Sequence, residues 1–420
     1  MNLIADLQIH SRFSRATSPS ITIQNLEKYA RLKGLNLLGT GDFTHPKWLA
    51  ELKNELKEDG SGTLTSKSGF NFVLQGEISN IYTQDGKARR VHTLLLARNF
   101  EIVEQINAAL LKKGRLDYDG RPIFGFSCIE LVEMMKEIDD DIEIIPAHAW
   151  TPWYGIFGSM SGFDSVEECF KEYSNKIHAI ETGLSSDPAM NWRLSKLDKY
   201  TLLSSSDAHS FWPWRIGREA NVFDIDLSYD ALLDAIRKRK GFVETIEMWP
   251  HEGKYHYTGH RNCDVCLSPK EALKIKNICP KCRKPLTVGV AQRVEMLADR
   301  EEGFVPKSFI PFRNLIPLSE VIAGTIGEKV ESKKVWEEYY KLVNEFENEF
   351  NVVLEAEENK LKKITKEKIA ENIIRNRNQK IPFKPGYDGV YGVPIFEEKE
   401  SVKEEKYEVN VKQKGLHEFI

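Results

Sequence analysis

The sequence lacks several features that would place it in a specialised class of protein. Its 420 residues contain no run of about 18 apolar residues, so no membrane-spanning helix is expected. The N-terminal segment has no basic stretch followed by an apolar one, so we expect no secretory signal. Only six cysteines are present, too few for a disulfide scaffold at this length. These absences predict a cytoplasmic protein.

Excess positive charge is also missing. Lysine and arginine number 59 against 63 acidic residues, so the formal net charge is −4. A generally basic surface that coats nucleic acid is therefore excluded, whereas a local basic patch is not. The apolar fraction of 41% is typical of a globular protein. At about 100–200 residues per domain, the length suggests two or three domains.

Short apolar runs alternate with amphipathic helical patterns before residue 248. This alternation predicts an α/β fold with a mainly parallel sheet, either open or closed into a barrel. The predicted strands are residues 3–10, 35–41, 70–78, 90–97, 142–148, 177–182, 201–205 and 242–246. Helices are predicted at 23–33, 46–56, 100–111, 165–173 and 229–238.

Polar side chains gather where the predicted strands end. In the first strand Asp6, Gln8 and His10 share one face, because side chains alternate along a strand. Inward polar groups are costly to bury unless something satisfies them, and a cation does so. The candidate metal ligands are Gln8, His10, Asp42, His45, Glu77, His92, His148, Glu181, Asp207 and His209. Imidazole and carboxylate donors at strand ends predict divalent metals at the rim of a barrel.

Clustered divalent ions would account for a hydrolytic reaction. They lower the pKa of a bound water towards 7 and offset the charge of a phosphoryl group. No Ser–His–Asp pattern or glycine-rich phosphate loop competes with this interpretation. We therefore predict phosphoester hydrolysis with two or three ions of zinc, magnesium or manganese.

The ordered series of these motifs resembles the PHP phosphoesterases. That resemblance implies a distorted seven-stranded barrel with up to three metal ions. It implies one metal on His10, Glu77 and Asp207, a second on Glu77, His92 and His148, and a third on His45 and His209. Asp207, His209, Glu77 and His148 are then the expected catalytic residues. Gln8 stands where the family usually has histidine, and His45 comes three residues after Asp42.

Two Cys-x-x-Cys pairs lie beyond the predicted barrel. Cys263 and Cys266 are followed by Cys279 and Cys282, with twelve residues between the pairs. This spacing predicts one structural zinc ion held by four thiolates; a redox dithiol is the alternative. Residues 251–286 carry eight basic and three acidic residues, which favours contact with nucleic acid, although a solvated charged face is the alternative.

The remaining sequence divides into a helical region and a tail. Aromatic and apolar residues recur at helical spacing from Trp336 to Val353, a pattern typical of a helix packed on a core. We predict a catalytic barrel at 1–248, a zinc module at 249–290, a helical domain at 291–385 and a flexible tail at 386–420. The tail ends in Gln413, Leu416, Phe419 and Ile420, which resembles a sliding-clamp (PCNA) interaction motif. A tail docked on its own domain is the alternative.

Taken together, these features resemble the endonuclease Q family of DNA repair nucleases. The resemblance implies a nucleoid-associated monomer that cuts 5′ of hypoxanthine, uracil, xanthine or abasic sites in double- or single-stranded DNA. The products would carry 3′-hydroxyl and 5′-phosphate ends. A damaged base must leave the stack to be read. The candidate DNA contacts are Trp150, Trp153, Tyr154, Trp212, Trp214, Arg12, Arg15, Arg193, Arg215 and Arg218. A small-molecule phosphatase and a non-catalytic clamp-associated scaffold remain alternatives.

Deletion of residues 413–420 is expected to abolish association with a sliding clamp. Cleavage of short duplexes should stay within about twofold of the full chain, because the motif lies far in sequence from the candidate metal ligands. Clamp pull-down and a nicking assay measure the two effects. Undiminished pull-down by the truncated chain would refute the assignment of the tail.

Overall fold

Residues 3–396 are described by a computed structural model and form a mixed α/β fold. Its strands are β1 Leu3–Asp6, β2 Leu37–Gly39, β3 Leu56–Glu58, β4 Leu64–Ser66, β5 Asn71–Gln84, β6 Lys87–Ala97, β7 Ile123–Phe124, β8 Glu143–Pro146, β9 Ala179–Glu181, β10 Thr201–Leu203, β11 Ala220–Phe223, β12 Phe242–Glu247, β13 Thr258–His260, β14 Val265–Leu267, β15 Phe312–Asn314, β16 Phe383–Lys384 and β17 Val393–Pro394. Its α-helices are α1 Ile23–Lys33, α2 Pro46–Glu55, α3 Phe100–Leu111, α4 Cys128–Ile138, α5 Val166–Phe170, α6 Pro188–Asn191, α7 Tyr229–Lys238, α8 Pro269–Lys274, α9 Val290–Leu297, α10 Leu318–Ile326, α11 Lys333–Phe346, α12 Glu358–Ile364 and α13 Glu367–Arg377. The predicted clamp motif, Gln413 to Ile420, lies outside the described residues.

An eleven-stranded sheet forms the centre of the molecule. β1 pairs in parallel with β2, β2 pairs in parallel with β5, and β11 and β12 extend the other side of β1 in antiparallel pairing. β6 lies between β5 and β8 and pairs antiparallel with both of them. The sheet is therefore mixed, and the prediction of a mainly parallel sheet was wrong. A two-residue turn at Asp85 and Gly86, both with positive φ, joins β5 directly to β6 and makes this pair antiparallel.

β9 and β10 form a separate parallel ladder beside this sheet. The N–H of Ala149, after β8, donates to the carbonyl of Glu181 at 3.0 Å. The N–H of His10, after β1, donates to the carbonyl of Ala208 at 2.9 Å. The ends of β1, β8, β9 and β10 thus come together at one rim, as the metal-site prediction requires. Closure into a seven-stranded barrel stays a prediction.

Local sequence signals set the ends of the helices that surround the sheet. The hydroxyl of Thr22 accepts a hydrogen bond from the N–H of Asn25 and caps α1, and Gly34 ends it at φ 102°. Ser127 and Ser228 cap α4 and α7 in the same way. Among residues 3–396 no helix combines the length and the apolarity that crossing a bilayer requires.

The C-terminal helices share one hydrophobic core with the sheet. Tyr339 and Val343 of α11 are buried, which confirms that the aromatic stripe faces a core. Trp336 of the same helix lies 5.6 Å from Trp212 and 5.5 Å from Trp214, measured between ring centroids. The loop after β10 is therefore fixed by aromatic contacts with α11. The predicted domain boundaries stay predictions.

A buried ion pair also joins the two parts of the chain. The Nζ of Lys33 in α1 lies 2.7 Å from Glu349, and both side chains are at most 2% exposed. Glu349 accepts further hydrogen bonds from the hydroxyl of Tyr339 and the N–H of Leu318. Lys33 also donates to the carbonyl of Pro213, in the loop that follows the candidate ligands of β10.

Lys33→Met is expected to lower the free energy of unfolding by about 3 kcal/mol, because it leaves a buried carboxylate without its cation. Lys28→Met, at an exposed position on the same helix, is the matched control and should change stability by less than about 0.5 kcal/mol. Urea unfolding followed by tryptophan fluorescence measures both. Equal midpoints for the two variants would contradict this role for the ion pair.

Candidate metal centre

Two groups of possible metal ligands meet at the rim where the strands end. The first contains His10, Asp207 and His209, whose ligand atoms all lie within 4.8 Å of one another. The Nε2 of His10 is 3.1 Å from a carboxylate oxygen of Asp207, and the rings of His10 and His209 are 4.6 Å apart. His10 follows β1, and the other two residues follow β10. Residues about 200 positions apart in the sequence thus form one group.

Glu77 connects this first group to a second one. Its Oε2 lies 2.9 Å from the Nε2 of His10. Its Oε1 lies 2.8 Å from the Nδ1 of His92 and 3.4 Å from the Nε2 of His148. Glu77, His92 and His148 form the second group, and all three are buried. The carboxylate of Glu77 is therefore shared by both groups.

The carboxylate of Asp42 fixes the orientation of His10. Its Oδ1 lies 2.9 Å from the Nδ1 of His10, which leaves the Nε2 facing Glu77 and Asp207. The other oxygen of Asp42 accepts hydrogen bonds from Ser11 and Ser14. A carboxylate on the far nitrogen of a histidine is the usual support of a metal ligand. Asp42, predicted as a ligand, lies behind His10 in this arrangement.

Three residues at this rim have left-handed backbone conformations. Asp42, His148 and Asp207 have positive φ values of 42°, 32° and 48°. Residues other than glycine rarely adopt this region, and histidine does so at a cost in local strain. Gly183, at φ 64°, packs so closely on His148 that a Cβ would lie 2.6 Å from the Cα of that histidine. The fold holds these side chains in place despite local strain.

The buried charges of the centre stabilise one another. Burial would raise the pKa of Glu77, but Arg121 and His92 lower it well below its ordinary value. Burial would lower the pKa of His10, but Asp42, Asp207 and Glu77 raise it well above its ordinary value. Likewise, burial opposes ionisation of Asp207, but His10 and His209 hold its pKa low. The carboxylates are therefore ionised at neutral pH, in the form that binds metal.

These donor sets suit divalent metal ions. Two ligands about 2 Å from one ion lie roughly 3 Å from each other, which is the spacing of the donor atoms around Glu77. Among residues 3–396, the buried Nε2 of His10, Oε1 of Glu77 and Oδ1 of Asp207 lack a hydrogen-bond partner of proper geometry. Buried polar atoms are normally satisfied, so these three atoms fit a site built for a cation.

Three other predicted ligands lie beside the two groups rather than within them. The side-chain amide of Gln8 is buried with no hydrogen-bond partner among residues 3–396. His45 stacks on Phe13 with ring centroids 4.4 Å apart, and burial lowers its pKa. Glu181 accepts a hydrogen bond from the N–H of His148, and burial raises its pKa to about 8. Glu181 therefore orients the backbone of a ligand residue.

The predicted aromatic contacts have different environments. Trp150 is fully buried in the core, and its indole N–H donates to Asn191. Trp212 and Trp214 stack on each other with centroids 5.1 Å apart, and Trp214 is buried. Trp153 and Tyr154 are partly exposed, and Tyr154 stacks on His92 with centroids 4.3 Å apart. Trp153 and Tyr154 thus present surface near the centre.

The predicted arginine contacts also differ in their availability. Arg215 and Arg218 line a cavity of about 490 Å³ together with Asp207 and His209. Arg15 is exposed and pairs with Asp119 at 3.1 Å. Two arginines are engaged elsewhere, since Arg12 pairs with Glu51 and Arg193 with Glu295. Arg215 and Arg218 are the ones placed beside the first group.

Two residues at the centre were not found from the sequence. Arg121 lies 3.4 Å from Glu77 and supplies positive charge to its buried carboxylate. Tyr391 lines the cavity that contains Asp207 and His209. Both lie in irregular segments without periodicity, so no pattern in the sequence pointed to them. Only the fold brings them to the rim.

The cysteine module contains a separate cluster of ligands. His260, Cys263, Cys279 and Cys282 each offer an atom within 4.8 Å of the others. Three of the four predicted cysteines thus come together, with His260 where Cys266 was expected. Cys266 lies in β14, where strand pairing opposite Gly259 fixes its direction. Desolvation would raise the pKa of the Cys279 thiol, but hydrogen bonds from the N–H groups of Cys282 and Lys281 lower it to about 6. This pKa favours the thiolate form, which binds metal.

Known proteins are similar to this chain in sequence. Residues 317–380 match the family described as MJ0043 C-terminal domain. The uncharacterized protein MJ0043 of Methanocaldococcus jannaschii is 34% identical over 303 residues, which are 69% of this chain and 36% of that protein. The chain thus spans about a third of that relative's length.

Two solved structures align with nearly the whole chain. The lesion-specific endonuclease PfuEndoQ of Pyrococcus furiosus is 32% identical, with a TM-score of 0.85 over 95% of this chain and 96% of that one. An endonuclease Q complex with a 27-mer duplex carrying an abasic lesion at the active site is 32% identical, with a TM-score of 0.85 over 95% and 97% of the chains. The fold and the paired ligand groups define a hydrolytic enzyme, a nuclease. More particularly, the chain belongs to the endonuclease Q family.

Glu77→Gln is expected to weaken binding of Mn²⁺ by more than about tenfold, because the neutral amide cannot serve as the shared carboxylate. Glu130→Gln, on the surface helix α4, is the matched control and should bind as the unaltered chain does. Isothermal titration calorimetry on metal-stripped protein measures the affinity. Unchanged Mn²⁺ binding by Glu77→Gln would show that Glu77 is not a shared ligand.

Proposed function

We propose that this protein is a DNA repair endonuclease. It cuts the phosphodiester on the 5′ side of hypoxanthine, uracil, xanthine and abasic sites, and it leaves 3′-hydroxyl and 5′-phosphate ends. The observation that carries the proposal is the pair of ligand groups connected by Glu77, the first of which opens into a cavity lined by Arg215 and Arg218. The endonuclease Q complex with an abasic duplex supports this choice of substrate.

The residues of the first group have distinct parts in the proposed reaction. Divalent ions, when bound, supply a hydroxide near neutral pH and offset charge on the phosphate. His10 would hold an ion from the buried side and Asp207 from the side of the cavity, since the His10 side chain is fully buried and that of Asp207 is partly exposed. His209 is about one-third exposed at the cavity, and burial lowers its pKa, so its imidazole is neutral at pH 7. A neutral imidazole can bind metal or accept a proton.

The two arginines at the cavity would position the DNA backbone. Arg215 is exposed, and its guanidinium is free to approach a phosphate. Arg218 is buried and donates to the carbonyl of Ser206, so it also holds the segment that carries Asp207. Guanidinium groups suit phosphate because they offer two parallel N–H donors. The strand that is cut would therefore lie over Arg215.

We further propose roles for the parts of the chain beyond the sheet. A structural zinc ion would be held by Cys263, Cys279 and Cys282, with His260 or Cys266 as the fourth ligand. The tail motif would join the enzyme to a sliding clamp, and the enzyme would act as a monomer in the cytoplasm. The division at residues 248, 290 and 385 is part of the same proposal.

Asp207→Asn and His209→Ala are expected to reduce nicking of lesion-containing duplexes by more than about 1000-fold, because each removes a group at the reacting centre. Affinity for the same duplexes should stay within about threefold, since backbone contacts remain. His178→Ala, a histidine outside both groups, is the matched control and should cut normally.

The measurement uses labelled duplexes that carry uracil, hypoxanthine, an abasic site or no lesion, with Mg²⁺, Mn²⁺ or Zn²⁺. Nicking at lesions, and not in the undamaged duplex, supports the proposal. Hydrolysis of p-nitrophenyl phosphate without nicking would indicate a small-molecule phosphatase. Absence of both activities would indicate a non-catalytic scaffold.

A further inference from the structure

The segment between β16 and β17 brings an exposed aromatic residue to the metal centre. Tyr391 is 64% exposed, and it lines the cavity of about 490 Å³ that contains Asp207 and His209. Val390 and Val393 beside it are 40% and 55% exposed. An exposed patch of large apolar side chains is typical of a surface that contacts a ligand. The proposed hydrolysis of the phosphodiester does not itself require Tyr391.

The loop that carries Tyr391 is held firmly against the rest of the protein. The N–H of Gly386 donates to the carbonyl of His251, and the N–H of Gly392 donates to the carbonyl of Glu252. A Cβ at Gly392 would lie 1.9 Å from the carbonyl oxygen of His251, so only glycine fits there. The loop is therefore built to approach this surface closely and to project Tyr391 outwards.

The side chain of Asp388 fixes the same loop to the cysteine module. Its carboxylate accepts hydrogen bonds from the N–H of Arg261 at 2.7 Å and from the hydroxyl of Thr287 at 2.6 Å. The hydroxyl of Tyr387 donates to Asp264 at 2.6 Å. These contacts position Tyr391 relative to the module before any ligand arrives.

Tyr391 stands at the end of a row of aromatic side chains. The Nζ of Lys254 lies 5.9 Å from the ring centroid of Tyr391 and 5.6 Å from that of Tyr255. Tyr255 contacts Trp153 edge to face, with centroids 5.5 Å apart. Trp153 is next to Tyr154, whose ring stacks on His92 of the second group. The row thus runs from the second ligand group to the cavity of the first.

The chemistry of this row fits unpaired nucleotides. The flat faces of bases stack on aromatic side chains whatever the sequence, and cations beside the rings attract the phosphates between them. Lys254 within the row and Arg215 at the cavity provide those cations. A nucleotide displaced from the duplex next to the cut bond would contact both the aromatic rings and these cations.

We propose that Tyr391, Tyr255 and Trp153 form a stacking row that holds unpaired bases beside the scissile phosphate, with Tyr391 as a specificity-determining residue. This inference rests on the proposed nuclease function. The row selects substrates in which bases next to the lesion are unstacked or easily unstacked. Hydrolysis of the phosphodiester would take place at the two ligand groups and not at the row.

The test compares Tyr391→Ala, Tyr391→Trp and the control Phe304→Ala, which removes a ring that is 40% exposed at another position. Each metal-loaded, full-length protein is titrated with a lesion duplex carrying 2-aminopurine next to the lesion. Stacking quenches 2-aminopurine fluorescence. Tyr391→Ala should weaken binding by about 5- to 100-fold and lose the quenching, whereas Tyr391→Trp and Phe304→Ala should keep both.

Nicking by the same proteins separates the two proposals. If the unaltered chain nicks lesion duplexes and Tyr391→Ala matches it in affinity, quenching and lesion preference, the stacking row is refuted and the nuclease function stands. If the unaltered chain nicks no lesion duplex, the nuclease function fails. Loss of quenching in Tyr391→Ala with recovery in Tyr391→Trp supports the row.

Discussion

The buried carboxylate of Glu77 is the group on which the candidate site depends. One of its oxygens faces His10, and the other faces His92 and His148. A buried carboxylate without compensating charge would cost several kcal/mol, so positive charge must reach it from every side. Arg121 supplies one such charge from a loop. His10 after β1, His92 in β6 and His148 after β8 all meet Glu77 of β5 at this point.

The register of the β5–β6 hairpin determines whether Glu77 and His92 can share a face. Ser79 pairs opposite His92, and Glu77 lies two residues from Ser79 on the same side of β5. A slip of one residue would move every side chain of β6 to the other face. The tight turn at Asp85 and Gly86 sets this register, because both residues adopt the left-handed conformation that such turns require. A turn outside the site therefore helps to place two of its residues.

The candidate ligands could be found from the sequence because chemistry limits which polar residues end an apolar strand. His10, Glu77, His92, His148, Asp207 and His209 all fall in the two ligand groups. Pairing direction is harder to predict, because the β-α alternation favours parallel strands whereas the two-residue turn at Asp85 and Gly86 makes β5 and β6 antiparallel.

Loop residues were the least predictable part of the site. Arg121 and Tyr391 have no periodic pattern, so their proximity to the ligands arises only from tertiary packing. The proximity of His260 to three of the cysteines is not predictable from the Cys-x-x-Cys spacing, because the direction of a side chain depends on strand pairing. Trp150 and Trp214 are predicted to contact DNA, but both side chains are buried in the structure. Large aromatic side chains in loops often complete a core in this way.

Anomalous diffraction from crystals grown with Mn²⁺ tests the central claim most directly. Data collected near the manganese edge locate the ions without reference to activity. Two peaks on opposite sides of the Glu77 carboxylate are expected, one within reach of His10 and Asp207 and one within reach of His92 and His148. Peaks that do not touch Glu77, or no peak at this rim, would contradict the shared-carboxylate account.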